Sequence, residues 1–78
     1  MATLPTDDKL RMVLDIFEHF GIRPGQVLLP GNITAVAANK GLRMEDITRG
    51  LEVGRERGLF ENGPNNSIKL TDTGFAAV

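Results

Sequence analysis

The chain contains no cysteine, which excludes a disulfide framework and any metal site built on thiolates. It also lacks long apolar runs: the longest stretches span only a few residues, far short of the ~20 that cross a bilayer as a helix. Met1 to Thr6 carries neither a basic cluster nor an apolar block, so no secretory signal is expected and the cytoplasm is the expected compartment. Reactive side chains are scarce. His19 is the only histidine and Ser67 the only serine, and no P-loop, histidine pair or calcium-loop pattern occurs. No catalytic residue, metal ligand or cofactor site is therefore expected. A basic excess is missing too, with nine basic residues against ten acidic and a net charge of −1. Phosphate neutralisation supplies much of a nucleic-acid binder's affinity, so this balance argues against strong binding of that kind.

What is present is enough for one domain. Seventy-eight residues fit a single unit spanning 1–78, with residues 1–5 expected as a flexible lead. The hydrophobic fraction of 41% and charged fraction of 24% are ordinary for a globular chain, which excludes disorder throughout.

Thr6, followed by Asp7 and Asp8, reads as a helix start, with a hydroxyl cap and two carboxylates at the positive end of the dipole. Leu10, Val13, Leu14, Phe17 and Phe20 then form a helically spaced stripe, and Gly21 supplies a left-handed stop. After the Arg23-Pro24-Gly25 turn, Val27-Leu28-Leu29 reads as a brief strand broken by Pro30-Gly31. Asn32 is the expected cap of a second helix, Ile33 to Lys40, with Ile33, Val36 and Ala37 inward. Gly41 ends it and Leu42 plugs the corner.

A third helix is predicted from Met44 to Arg57, with Met44, Ile47, Leu51, Gly54 and Gly58 on one side. Arg43 is a weak cap. Gly50 and Gly54 each cost about 1 kcal/mol relative to alanine inside a helix, which points to close approach of another backbone. Leu59-Phe60-Glu61 and Ser67-Ile68-Lys69-Leu70 then flank a five-residue tip rich in turn formers, the pattern of a hairpin. Ile68 and Leu70 face one side of it, Ser67 and Lys69 the other. Thr71-Asp72-Thr73-Gly74 is a cap or turn.

This order of elements resembles a winged helix-turn-helix domain: an α+β fold of three helices with a C-terminal β-hairpin wing and a short strand after the first helix. Two stretches carry the resemblance. Leu42-Arg43-Met44-Glu45-Asp46-Ile47 with Gly58-Leu59-Phe60-Glu61 is similar to the entry and exit of the family's recognition helix. Leu70-Thr71-Asp72-Thr73-Gly74-Phe75 is similar to the "L-T-x-x-G" stretch that leaves the wing. The resemblance implies a small regulator binding double-stranded DNA through the third helix and the hairpin. Some members of the family, however, use the same surfaces to bind proteins.

On the DNA reading, Thr48, Arg49, Glu52 and Val53 form the recognition surface, and Arg43 and Lys69 are candidate phosphate contacts. The plainer account of the same face is a solvated helix side with pairs such as Glu45–Arg49 and Glu52–Arg55. Phe60 is either an anchor for a protein partner or packs under Phe75 or the Val27–Leu29 strand. The Gly31-Asn32-Ile33 amides are more simply a helix start than a phosphate site, and His19 belongs to the wet side of the first helix beside Asp15. A homodimer through the apolar Phe75–Val78 tail or the Gly50/Gly54 groove would supply the phosphate contacts that one copy lacks.

Overall fold

The computed structural model describes residues 5–78; most of the expected flexible lead, residues 1–4, lies outside them. The described residues form an α+β domain with four α-helices and a three-stranded antiparallel sheet.

Helix α1 runs from Thr6 to His19. Its cap position is Pro5, whose carbonyl accepts from the amides of Asp8 and Lys9, both at 3.1 Å. Thr6 is thus the first helical residue rather than the cap, and no side chain caps this end. Leu10, Val13, Leu14, Ile16 and Phe17 are buried, while Phe20, expected in the stripe, is 39% exposed just beyond the last turn. Strand β1 is Val27–Leu28. Helix α2 begins at Pro30, not after it, and ends at Lys40. Proline's fixed φ suits the first helical position, where its missing N–H has no partner to lose, so the predicted break is the helix start. Ile33, Val36 and Ala37 are buried as expected.

Helix α3 spans Met44–Glu56. Its inner side is Asp46, Ile47, Gly50, Val53 and Gly54, so the helix is rotated from the predicted stripe. Met44 is 45% exposed and Leu51 only partly buried. The glycines explain the rotation. A Cβ on Gly50 would lie 2.5 Å from the carbonyl oxygen of Lys9 and 2.7 Å from a Val13 methyl, and a Cβ on Gly54 would run into the Phe60 ring. The close backbone expected at these glycines is present at Gly50, where α1 passes, whereas at Gly54 the neighbour is the Phe60 side chain; the groove they leave is filled within the molecule. Lys9 and Asp46 add an ion pair of 3.8 Å across the same seam, both side chains largely buried.

Helices α1, α2 and α3 end alike. Gly21, Gly41 and Gly58 sit at φ of +63°, +70° and +75°, and the amides of Ile22, Leu42 and Leu59 reach back to Phe17, Ala37 and Gly54. Each is a glycine stop followed by an apolar residue that turns back onto the body of the protein.

Strands β2 (Phe60–Asn62) and β3 (Ile68–Leu70) form the hairpin. The sheet order is β1-β3-β2, with Phe60 opposite Leu70, Glu61 opposite Lys69, and Leu28 opposite Ile68. The tip contains a single 3-10 turn, Pro64–Asn66. Ser67, expected on the outer face, is 1% exposed, because the tip folds over it and its hydroxyl donates to the Pro64 carbonyl at 2.6 Å. The last segment is a fourth helix, α4, Asp72–Ala77. Thr71 caps it, accepting from the Gly74 amide at 3.0 Å while its own hydroxyl donates to the Gly58 carbonyl at 2.7 Å. Phe17, Ile16, Leu28, Ile47, Leu70 and Val13 are fully buried, so the core lies between α1, α3 and the sheet.

Candidate nucleic-acid interface

The rotation of α3 decides which side chains it offers to a partner. At 100° per residue the buried positions centre on Gly50, which puts Thr48 and Glu52 nearly opposite. Glu45, Arg49, Arg55 and Glu56 flank them. Thr48, Arg49 and Glu52 are exposed, as expected for a recognition surface. Val53 is corrected: at 3% exposure it belongs to the core and cannot meet a partner. The sequence pattern placed it outside because Met44 and Leu51, both apolar, drew the stripe towards their own side.

Phe60 is corrected as well. It is 2% exposed and stacks on Phe17 with ring centroids 4.9 Å apart and 11° between planes. Alternation along a strand from Leu59 would turn Phe60 away from the core, but Leu59 precedes the strand, in the glycine-stopped turn, where alternation does not apply. Phe60 shares the inner face with its cross-strand partner Leu70.

The arginines of the site are held by neighbours. Arg49 Nη1 lies 3.2 Å from Glu52 Oε2, with the two side chains about half exposed, and Arg43 is paired with Glu45. The anticipated Glu45–Arg49 and Glu52–Arg55 pairs are thus replaced by Arg43–Glu45 and Arg49–Glu52. Arg55 instead reaches Asn62 Oδ1 at 3.4 Å, linking α3 to the hairpin, and Arg57 pairs with Asp7 at 3.1 Å. Pairs this exposed are worth tenths of a kcal/mol, so they constrain the arginines only lightly. Lys69 lies mid-strand in β3 and shares a shallow groove with Glu61 and Asp72. It is set back from the tip, Gly63–Asn66, which carries no charge.

The net charge of −1 conceals an asymmetry. Five of the nine basic residues fall between Lys40 and Arg57, on the α2–α3 corner and α3. Of the four acids in the same stretch, Asp46 is turned inward onto Lys9. Helix α1, by contrast, carries Asp7, Asp8, Asp15 and Glu18 against Lys9 and Arg11.

The remaining candidates have local explanations. His19 meets Phe20 edge-on at 5.1 Å, and the Asp15 carboxylate engages Arg11 at 3.1 Å. The amides of Asn32 and Ile33 donate to the Leu29 carbonyl, so they are spent within the start of α2. Among the described residues no group of three or more His, Asp or Glu side chains could hold a metal ion, and no helix is long and apolar enough to cross a membrane. In comparisons with known proteins, the chain matches no family model, no curated protein and no solved structure.

Proposed function

We propose that the domain is a winged helix-turn-helix module that binds double-stranded DNA, with α3 in the major groove and the β2–β3 hairpin against the flanking backbone. The observation that carries this reading is the outward face of α3: a polar surface around Thr48 and Glu52, flanked by Arg49 and Arg55, within the Lys40–Arg57 stretch that holds five of the nine basic residues. The sheet order β1-β3-β2 and the tight Gly41–Arg43 corner before α3 agree with it. Arg43, at the start of α3, and Arg49, on its flank, meet phosphates or base edges once they exchange their glutamates for DNA. A regulator of this size makes few phosphate contacts per copy, so a homodimer on DNA completes the reading. With the Gly50/Gly54 groove filled by α1 and Phe60, its contact falls to the apolar side of α4.

Salt-titrated binding to mixed duplex DNA tests the reading. Arg49→Glu is expected to abolish binding. Glu52→Gln combined with Glu56→Gln is expected to strengthen it by removing two charges that repel phosphates. Each phosphate contact contributes about one to the magnitude of the salt slope. A wild-type domain whose binding is flat in salt would refute the proposal.

The second reading is a protein-interaction adaptor of the same fold. The observation favouring it is that Arg43 and Arg49 are both already paired with glutamates, a surface of mixed charge that fits another protein. With Phe60 buried, the adaptor reading rests on that face alone. It predicts the opposite response: neutralising Glu52 and Glu56 weakens the partner.

A further inference from the structure

Glu52 sits almost opposite the buried side of α3, so a helix lying in the major groove directs it at the groove floor rather than at the phosphate walls. A carboxylate there can only accept hydrogen bonds, and the donors on that floor are the exocyclic amines of cytosine and adenine. Its partner on the same helix, Arg49, lies 3.2 Å away and can only donate. The two together present a row of donors followed by an acceptor once the light Arg49–Glu52 pair opens onto a base pair. The major-groove edge of a G·C pair presents the complement: N7 and O6 of guanine as acceptors, then N4–H of cytosine as a donor.

We infer that the Arg49–Glu52 pair reads one G·C base pair, Arg49 donating to guanine N7 and O6 and Glu52 accepting from cytosine N4. The inference rests on the DNA-binding reading above and adds to it a base identity. It also gives the glutamate a role: Glu52 lowers affinity for any duplex by repelling phosphates, and raises discrimination at one position. An A·T pair in that place offers Arg49 an amine where it needs an acceptor and Glu52 a carbonyl where it needs a donor, and a T·A pair puts the thymine methyl where Arg49 needs guanine N7.

The test is selection of the full chain on a randomised duplex library, followed by titration of the selected duplex and its single-base variants. The wild-type domain is expected to prefer G·C at one position of each bound site. Replacing that pair by A·T should weaken binding tenfold or more. Glu52→Gln leaves the exposed helix face folded, which circular dichroism checks, and should bind all duplexes more tightly while losing most of the preference at that position alone. Arg49→Gln should lose the guanine preference and weaken every duplex. Binding with no G·C preference, or a preference that Glu52→Gln leaves unchanged, overturns the inference while the DNA-binding reading stands. Failure to bind any duplex at low salt overturns both.

Discussion

Gly54 and Gly58 lie one helical turn apart and are glycine for unrelated reasons, which substitution separates. At Gly54 the obstacle is space, because a Cβ would enter the Phe60 ring; at Gly58 nothing lies within 4 Å and the constraint is φ of +75°. Gly54→Ala is expected to cost about 1–3 kcal/mol through overpacking, and Phe60→Leu in the same chain to recover part of it. Gly58→Ala should cost about 1–2 kcal/mol through left-handed strain, while Gly58→Asn is tolerated because asparagine adopts that conformation. Thermal melts of the four variants check this; Gly58→Asn as costly as Gly58→Ala, or no recovery of Gly54→Ala by Phe60→Leu, would contradict it. The same contrast shows what the sequence made legible. A glycine that stops a helix announces itself locally, so Gly21, Gly41 and Gly58 were readable. A glycine that admits a neighbour depends on which neighbour arrives: the Lys9 carbonyl is far from Gly50 in sequence, and the Phe60 ring returns to Gly54 only through the turn between them. The misreading of Val53 followed, since the inner face is set by Gly50 and the paired Asp46, neither of which looks apolar.

Helix α4 is short, and its attachment depends on Thr71. The hydroxyl accepts from the first turn of α4 and donates to the Gly58 carbonyl at the end of α3, so one side chain joins two helix ends. Arg11 Nη1 adds a bond to the Ala77 carbonyl at 3.0 Å. Gly74 is fixed by the same junction, where a Cβ would strike the Leu59 carbonyl. Thr71→Val keeps the shape and removes both bonds. It is expected to cost about 1 kcal/mol and to speed amide hydrogen exchange in α4 before the rest of the molecule. Exchange in α4 unchanged by the variant would mean that packing alone holds it. The Thr-Asp-Thr-Gly stretch read as a cap or turn in sequence, and the cap is there. The helix behind it was missed because six residues are too few to display a period. The hairpin faces were read correctly at Ile68 and Leu70, whose alternation lies within the strand, and incorrectly at Phe60 and Ser67, which sit where strand gives way to turn.

A molecule of this size has little stability in reserve, so core losses are global. Ile47 is fully buried between α3 and the core, and Ile47→Ala is expected to cost about 2–5 kcal/mol, close to the whole stability of a small domain. Leu51→Ala should cost distinctly less, because Leu51 is only partly buried; denaturant melts that rank the two the other way would place α3 in the wrong rotation. The overall order of elements was legible because punctuation by glycine and proline is local. The surface of α3 was legible only in part: Thr48, Arg49 and Glu52 follow from helical spacing, whereas the partners that hold each charge depend on rotamers no pattern records. The sheet carries one more implication. Both β1 and β2 pair only with β3, the central strand and the last to be made. While the ribosome is still adding residues before Ile68, neither earlier strand has an edge to join. Leu28 and Phe60 then lack their strand partners on a nascent chain whose first three helices can already form, and the sheet closes in a late step once Leu70 emerges, with α4 following.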